Sequence, residues 1–100
     1  MMAHALKDPE GNEIKHLHQF ADFAGKRVLE IGCGEGRLTW RYASASSLTV
    51  GLDPDRNALR LARINRPSDL AKRVHFVNAH AEHIPFRKET FDIAVLAWSL

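Results

Sequence analysis

The sequence predicts an α/β fold in which flanking helices cover a parallel sheet, and three observations support that prediction. Four short segments rich in apolar and β-branched residues predict strands at 28–31, 48–52, 74–77 and 91–97. A glycine-rich turn at 32–36 directly follows the first of these strands. The last strand is almost continuously apolar, which is typical of a parallel strand that is covered on both faces.

The beginning of the chain divides into two predicted parts. Residues 1–11 carry no clear pattern and are expected to form a flexible lead-in to a single domain at 12–100. An amphipathic helix is predicted before the first strand and should end at Gly25. Its apolar stripe consists of Ile14, Leu17, Ala21 and Ala24.

Two further helices are predicted after the first and second strands. The helix after the glycine turn would bury Leu38, Tyr42 and Ala45. The next helix has Asp53 as its expected N-cap, with Asp55 as the alternative cap, and Pro54 at its first helical position. Its predicted buried face consists of Ala58, Leu61 and Ala62. Helices between parallel strands imply right-handed crossovers.

The chain ends at Leu100, directly after its most apolar strand, and a polar loop at 78–90 precedes that strand. A strand of this type at a sheet edge would expose its backbone and its apolar face. We therefore expect an incomplete domain, the N-terminal part of a longer one, that would alone be marginally stable or would self-associate through this fourth predicted strand.

Length, charge and cysteine content narrow the function classes. One hundred residues allow one core, and 45% apolar with 26% charged residues is typical of a globular protein. The net charge is only +2, and a solvated helix face explains the weak basic stripe of four arginines at 56–66. A single cysteine favours a reducing compartment, and no apolar run approaches the length of a membrane span. We expect a cytoplasmic protein with neither a nucleic-acid nor a membrane partner.

The glycine spacing separates two kinds of nucleotide-binding turn. A dinucleotide fingerprint, G-x-G-x-x-G, would need glycine where this chain has Arg37. The pattern present is Glu30-x-Gly32-x-Gly34-x-Gly36. It resembles motif I of the class I S-adenosylmethionine-dependent methyltransferases.

Three more segments resemble that family in order and spacing. They are Gly51-Leu52-Asp53 at the end of the second strand, the loop at 78–86, and the fourth strand from Phe91. Asp53 lies 53 − 30 = 23 residues after Glu30, close to the spacing expected of a nucleotide-binding unit. The resemblance covers about residues 20–100, is to small-molecule, type 11-like members, and implies a Rossmann-like sheet containing strands one to four of the family.

The resemblance implies a binding site for S-adenosylmethionine, the methyl donor. The turn glycines Gly32, Gly34 and Gly36 would let the backbone approach the methionine part. Glu30 would order its ammonium group, and Asp53 would accept hydrogen bonds from the ribose diol.

The loop after the third strand would bind adenine, and it departs from the family pattern at one position. Ala81 would donate its backbone N–H to the ring, and His80 stands where an aspartate usually accepts from the exocyclic amine. Neutral imidazole offers one acceptor nitrogen and imidazolium offers none. We therefore expect donor affinity to fall as His80 becomes protonated.

Four other residues complete the expected donor-binding set: Cys33, Pro54, Glu82 and Ala97. Cys33 is interpreted as a small residue that fits the tight turn rather than as a nucleophile. His80, Glu82 and His83 share one short loop without a partner cluster, so no metal site is predicted. No catalytic residue can be named.

The sequence thus predicts the donor-binding part of a methyltransferase that acts on an unknown, small-molecule acceptor. Two alternatives stay open at this point. One is a non-catalytic S-adenosylmethionine-binding or interaction module. The other is an NAD-dependent oxidoreductase, which Arg37 disfavours.

Overall fold

A parallel sheet of five strands organises the chain in the computed structural model, which describes residues 3–6 and 23–97, with only the backbone for 3–6 and Lys88. The strands are β1 (Ala3–Leu6), β2 (Arg27–Ile31), β3 (Leu48–Asp53), β4 (Val74–Asn78) and β5 (Ile93–Ala97). Their order in the sheet is β1-β5-β2-β3-β4, and every pairing is parallel. The helices are α1 (Thr39–Tyr42) and α2 (Arg56–Asn65), with 3₁₀ turns at Ser68–Leu70 and Lys88–Thr90. The predicted α/β class with a parallel sheet is confirmed.

The strand β1 lies in the segment that was expected to be a flexible lead-in. It pairs in parallel with β5, from Ala3 opposite Ala94 to Leu6 opposite Ala97. The rest of 1–11 and nearly all of the predicted helix before Gly25 lie outside the described residues.

The pairing with β1 corrects the expected place of the fourth predicted strand. That strand, β5, lies inside the sheet between β1 and β2, and the edges are β1 and β4. The expectation that β5 forms an exposed edge is therefore wrong, and the self-association inferred from it loses its basis.

Alternating side chains divide the core between the two faces of the sheet. On one face, α1 and α2 pack against apolar residues of the strands, among them Val28, Val74 and Val95. On the other face, Leu29 and Leu52 pack with Phe91 from the loop before β5. Both faces of β2 and β3 are thus covered, which explains their apolar composition.

The start of α2 differs from the sequence prediction. Asp55, not Asp53, is the N-cap, and its carboxylate accepts from the backbone N–H groups of Asn57 (2.9 Å) and Ala58 (3.2 Å). Pro54 consequently lies before the helix rather than at its first helical position. Asp53 is unavailable as a cap because its Oδ1 accepts the N–H of Asp55 (2.9 Å) within the preceding turn.

Arginines from α2 cover the outer edge of β4. The Arg63 guanidinium donates to the carbonyl of Phe76 (3.0 Å), and that of Arg66 donates to the carbonyl of Val74 (2.8 Å). Unpaired carbonyl groups on an edge strand are a template for pairing with another chain. These two side chains occupy them.

The starts of β2 and β5 are fastened by one ion pair. Arg27 donates to Asp92 from its backbone N–H (2.9 Å) and from its guanidinium (3.1 Å). These hydrogen bonds lower the pKa of Asp92 to about 2. None of the helices in the described part of the chain has the length and apolarity that a membrane-spanning helix requires.

Candidate functional site

The glycine turn lies where the order of strands in the sheet reverses. From β2 the chain proceeds through β3 to β4 on one side, and β5 then pairs with the other side of β2. Because all strands are parallel, their carboxyl ends meet at one edge of the sheet. Ligands of open α/β sheets bind in the crevice at such a reversal. The turn after β2 and the end of β5 therefore mark the candidate site.

Three successive backbone amides of the turn are used inside the protein. The N–H groups of Gly32 and Cys33 both donate to the carbonyl of Leu52 (2.8 and 3.0 Å), and that of Gly34 donates to Oδ2 of Asp53 (2.8 Å). A turn that cradles phosphate directs its amides at the ligand instead. This geometry disfavours a phosphate-binding role and agrees with the absence of the third dinucleotide glycine.

All three turn glycines have positive φ, and Gly32 and Gly34 differ in their surroundings. Gly32 has φ +83°, and a Cβ there would overlap the carbonyl oxygen of Ala97 at the end of β5. Gly34 has φ +56°, and a Cβ there would meet no atom within 4 Å. Gly32 thus permits close packing of two strand ends, whereas the backbone of Gly34 borders open space that a ligand could enter.

The carboxylate of Asp53 is held in one orientation beside the turn. Its Oδ2 accepts from Gly34 and its Oδ1 from Asp55, and the residue is only partly buried. An ionised carboxylate offers about four acceptor positions, so about two stay available for a ligand. The structure brings together Gly34 and Asp53, which the sequence analysis assigned to one site.

Asn78 is a positioning residue that sequence reasoning missed. Its side-chain amide donates to the carbonyls of Asp53 and Pro54 (both 3.0 Å) and accepts from Arg56 (3.3 Å). It thereby fastens the end of β4 to the turn that carries Asp53. The sequence signal that could have identified Asn78 is a side-chain amide at the carboxyl end of the strand next to β3.

The loop after β4 starts beside Asp53. Ala79 donates its N–H to the Asp53 carbonyl (3.2 Å), and a turn follows in which the His83 N–H donates to the His80 carbonyl (3.0 Å). His80, Ala81 and Glu82 are all exposed. Their predicted contacts with adenine stay predictions.

The remaining candidates at the turn point inward. Glu30 is completely buried, and its Oε1 accepts from the hydroxyl groups of Thr39 (2.8 Å) and Tyr42 (2.6 Å). The Cys33 thiol packs against the backbone of Gly51, where a Cβ would lie 2.7 Å from its sulfur. Burial raises the pKa of this thiol, and the negative charges of Glu30 and Asp53 raise it further. A nucleophilic role for Cys33 is therefore disfavoured.

Trp40 packs on the last glycine of the turn. A Cβ at Gly36 would lie 2.7 Å from the Trp40 ring, which meets the Phe76 ring edge to face with centroids 5.7 Å apart. The turn thus rests on an aromatic pair. Within residues 23–97, no group of three or more metal-ligating side chains is close enough to hold an ion.

The chain resembles known methyltransferases in sequence and in structure. It matches a family model described as a methyltransferase domain over residues 28–100. Demethylmenaquinone methyltransferase of Lactococcus lactis is 27% identical over 89 residues, which cover 86% of this chain and 35% of that protein. Phthiotriol/phenolphthiotriol dimycocerosates methyltransferase 1 of Mycobacterium ulcerans is 34% identical over 96 residues, which cover 88% and 33%.

A solved structure shares the fold. The YcgJ protein from Bacillus subtilis superimposes with a TM-score of 0.72 and 27% identity over 86% of this chain and 36% of that one. The predicted Rossmann-like architecture is confirmed. The chain spans about a third of the length of the curated relatives that it matches.

Proposed function

The chain belongs to the class I S-adenosylmethionine-dependent methyltransferase family, and on that premise we propose that it is the donor-binding part of an enzyme that methylates a small molecule. The observation that carries this proposal is the hydrogen bond from the Gly34 N–H to Oδ2 of Asp53 (2.8 Å). It joins the glycine turn and the acidic residue at the end of β3 into one surface at the strand reversal.

The proposed donor site uses three parts of the chain. The open space beside Gly34 would admit the methionine part, and the free acceptor positions of Asp53 would bind the ribose diol. The Ala81 N–H and the His80 imidazole would bind adenine. The carboxylate of Asp53 beside the turn suits this donor, because the donor carries positive charge at both its sulfonium and its ammonium group.

The chemistry requires little of the protein beyond positioning. The donor supplies a methyl group on a sulfonium whose departure needs no acid. The residues of the turn and Asp53 would fix the donor, align its methyl group for in-line attack and exclude water. No general base is required for this, and none is assigned.

The acceptor class follows the relatives. Those reported above include a demethylmenaquinone methyltransferase, and a ubiquinone biosynthesis O-methyltransferase of Ralstonia nicotianae is 37% identical over 75 residues. We propose a small-molecule acceptor, no nucleic-acid partner and a cytoplasmic location. The hydrogen bonds of the basic stripe of α2 support the proposal that there is no nucleic-acid partner. All four arginines of this stripe donate to acceptors of the chain itself: Arg56, Arg60, Arg63 and Arg66.

Isothermal titration calorimetry with S-adenosylhomocysteine, the demethylated donor, tests the donor site. The chain should bind it saturably and should not bind NAD. Asp53→Asn should weaken binding about tenfold or more, because a charged acceptor of two hydroxyl groups is lost. Asp55→Asn is the matched control, since it removes a neighbouring charge while asparagine remains a good N-cap.

Binding of NAD without S-adenosylhomocysteine, or equal affinities in the two variants, would overturn the proposal. Donor binding without methyl transfer to any of a panel of small-molecule acceptors would instead favour a non-catalytic donor-binding module.

A further inference from the structure

The buried carboxylate of Glu30 connects the two ends of the glycine turn. Glu30 lies in β2 just before the turn, and its Oε1 accepts from Thr39 (2.8 Å) and Tyr42 (2.6 Å) in α1 just after it. None of these three side chains reaches the surface, with exposed fractions of 0%, 0% and 3%. Hydrogen bonds between the Glu30 carboxylate and two hydroxyl groups thus link the strand before the turn to the helix after it.

The helix α1 depends on these hydrogen bonds. It has only four residues, and its N-cap, Leu38, provides no side-chain hydrogen bond. A helix of this length is not stable by itself in water. Its place on the sheet must come from tertiary contacts, which include the two hydroxyl groups on Glu30, the stacking of Tyr42 on Phe23 at 4.7 Å, and the packing of Tyr42 on Val28 and Val95.

The hydroxyl of Tyr42 is fixed as a donor. Burial raises its pKa well above the usual value, and the charge of Glu30 raises it further. The phenol therefore stays protonated at physiological pH and donates to the carboxylate. Hydrogen bonds to a charged acceptor are about twice as strong as neutral ones, so this pair is a firm attachment.

On the basis of the proposed donor site, we propose that Glu30 is a positioning residue that sets the shape of the glycine turn through Thr39 and Tyr42, and is not a direct ligand of the donor's ammonium group. The complete burial of Glu30 and the hydrogen bonds that its Oε1 accepts from Thr39 and Tyr42 of α1 carry this assignment. Thr39 and Tyr42 become positioning residues of the same site, although neither lies in the glycine motif.

A double-mutant cycle between protein and ligand separates the two roles. Wild type and Glu30→Gln are titrated with S-adenosylhomocysteine and with its desamino analogue, which lacks the ammonium group. If Glu30 is a positioning residue, Glu30→Gln should bind both ligands more weakly than wild type by the same factor, about three- to tenfold. If Glu30 contacts the ammonium group directly, Glu30→Gln should bind only S-adenosylhomocysteine more weakly, and that result would overturn the proposal.

Threonine variants provide a test that keeps the carboxylate. Thr39→Val removes one hydroxyl from Glu30 and should weaken S-adenosylhomocysteine binding about threefold or more. Thr49→Val is the matched control, since Thr49 is equally buried and hydrogen-bonded to Ser46 (2.7 Å) but lies at the opposite end of the strands. Equal affinities in the two variants would contradict the assignment.

Amide hydrogen exchange gives a readout that does not depend on the ligand. The Gly34 N–H, which donates to Asp53, should exchange faster in Thr39→Val than in Thr49→Val at matched global stability. Equal exchange would overturn the positioning role. Failure of the wild-type chain to bind S-adenosylhomocysteine would overturn the proposed function and leave the exchange comparison to decide the role of Glu30.

Discussion

Alanine at Gly32 should mainly reduce the stability of the fold, whereas alanine at Gly34 should mainly reduce the affinity for the donor. Gly32→Ala and Gly34→Ala each add one methyl group at a positive φ, +83° and +56°. At Gly32 the new Cβ would overlap the carbonyl oxygen of Ala97, whereas at Gly34 it would meet no atom within 4 Å. Comparing the two variants therefore separates the energetic cost of steric overlap from the cost of the left-handed backbone conformation.

The expected magnitudes follow from these surroundings. A non-glycine residue in the left-handed region costs about 1–2 kcal/mol, and the smaller entropy of the unfolded alanine chain returns about 0.4–1 kcal/mol. Gly34→Ala should thus lower the free energy of unfolding by about 0–1.6 kcal/mol. Overlap in a packed region adds about 1–3 kcal/mol, so Gly32→Ala should lower the free energy of unfolding by about 1–4.6 kcal/mol.

Urea unfolding and calorimetry measure the two effects on the same samples. Gly34→Ala should keep most of its stability yet bind S-adenosylhomocysteine at least about tenfold more weakly, because its methyl group fills the space proposed for the donor. The reasoning is refuted if Gly34→Ala costs as much stability as Gly32→Ala, or if it binds like wild type.

Three other predictions concern reactivity, pH and association. Cys33 should react with a disulfide reagent at least about tenfold more slowly in the native chain than in urea, because its thiol is buried and its pKa is raised; equal rates would contradict this. Because the pKa of Asp92 is lowered to about 2 in the folded chain, the stability it contributes is present above about pH 4 and lost toward pH 2. The melting temperatures of wild type and Asp92→Asn should therefore differ at pH 7 and converge near pH 2, and a constant difference would be evidence against this. Replacing Arg63 and Arg66 by Met should expose the β4 carbonyls and increase self-association in light scattering, whereas Arg60→Met should not; equal behaviour would argue against edge protection.

The strands inside the sheet could be predicted because their residues carry the signal themselves. Leu29, Val50 and Val95 belong to short apolar runs that read as strands in isolation. The segment Ala3–Leu6 has no such pattern, and it becomes a strand by pairing with β5, 91 residues further along at Ala94. Pairing partners this distant are invisible to a local pattern, so β5 was wrongly expected at an edge.

Part of the geometry of the candidate site could be anticipated. The resemblance to the methyltransferase family placed Gly34 and Asp53 in one predicted site, and a hydrogen bond joins these two residues. The choice of helix cap failed because the Asp-Pro-Asp run offers two carboxylates, and only the fold determines that Asp53 turns back to Gly34 while Asp55 caps α2. Asn78 was missed because its side-chain N–H groups donate to backbone carbonyls, which cannot be identified as partners from the sequence.

Asp53 connects the architecture of the turn with the binding proposed for it. Two backbone amides, from Gly34 and Asp55, already hold its oxygens at 2.8 and 2.9 Å. Immobilising a free side chain on binding costs about 0.5–1.5 kcal/mol, a cost that a fixed carboxylate largely avoids. The glycine at 34 therefore has two functions, since it leaves space beside the backbone and places an N–H within reach of the carboxylate. A side chain that keeps the charge but changes the length, as in Asp53→Glu, cannot satisfy both amides from the same backbone position, so at this site geometry matters as much as charge.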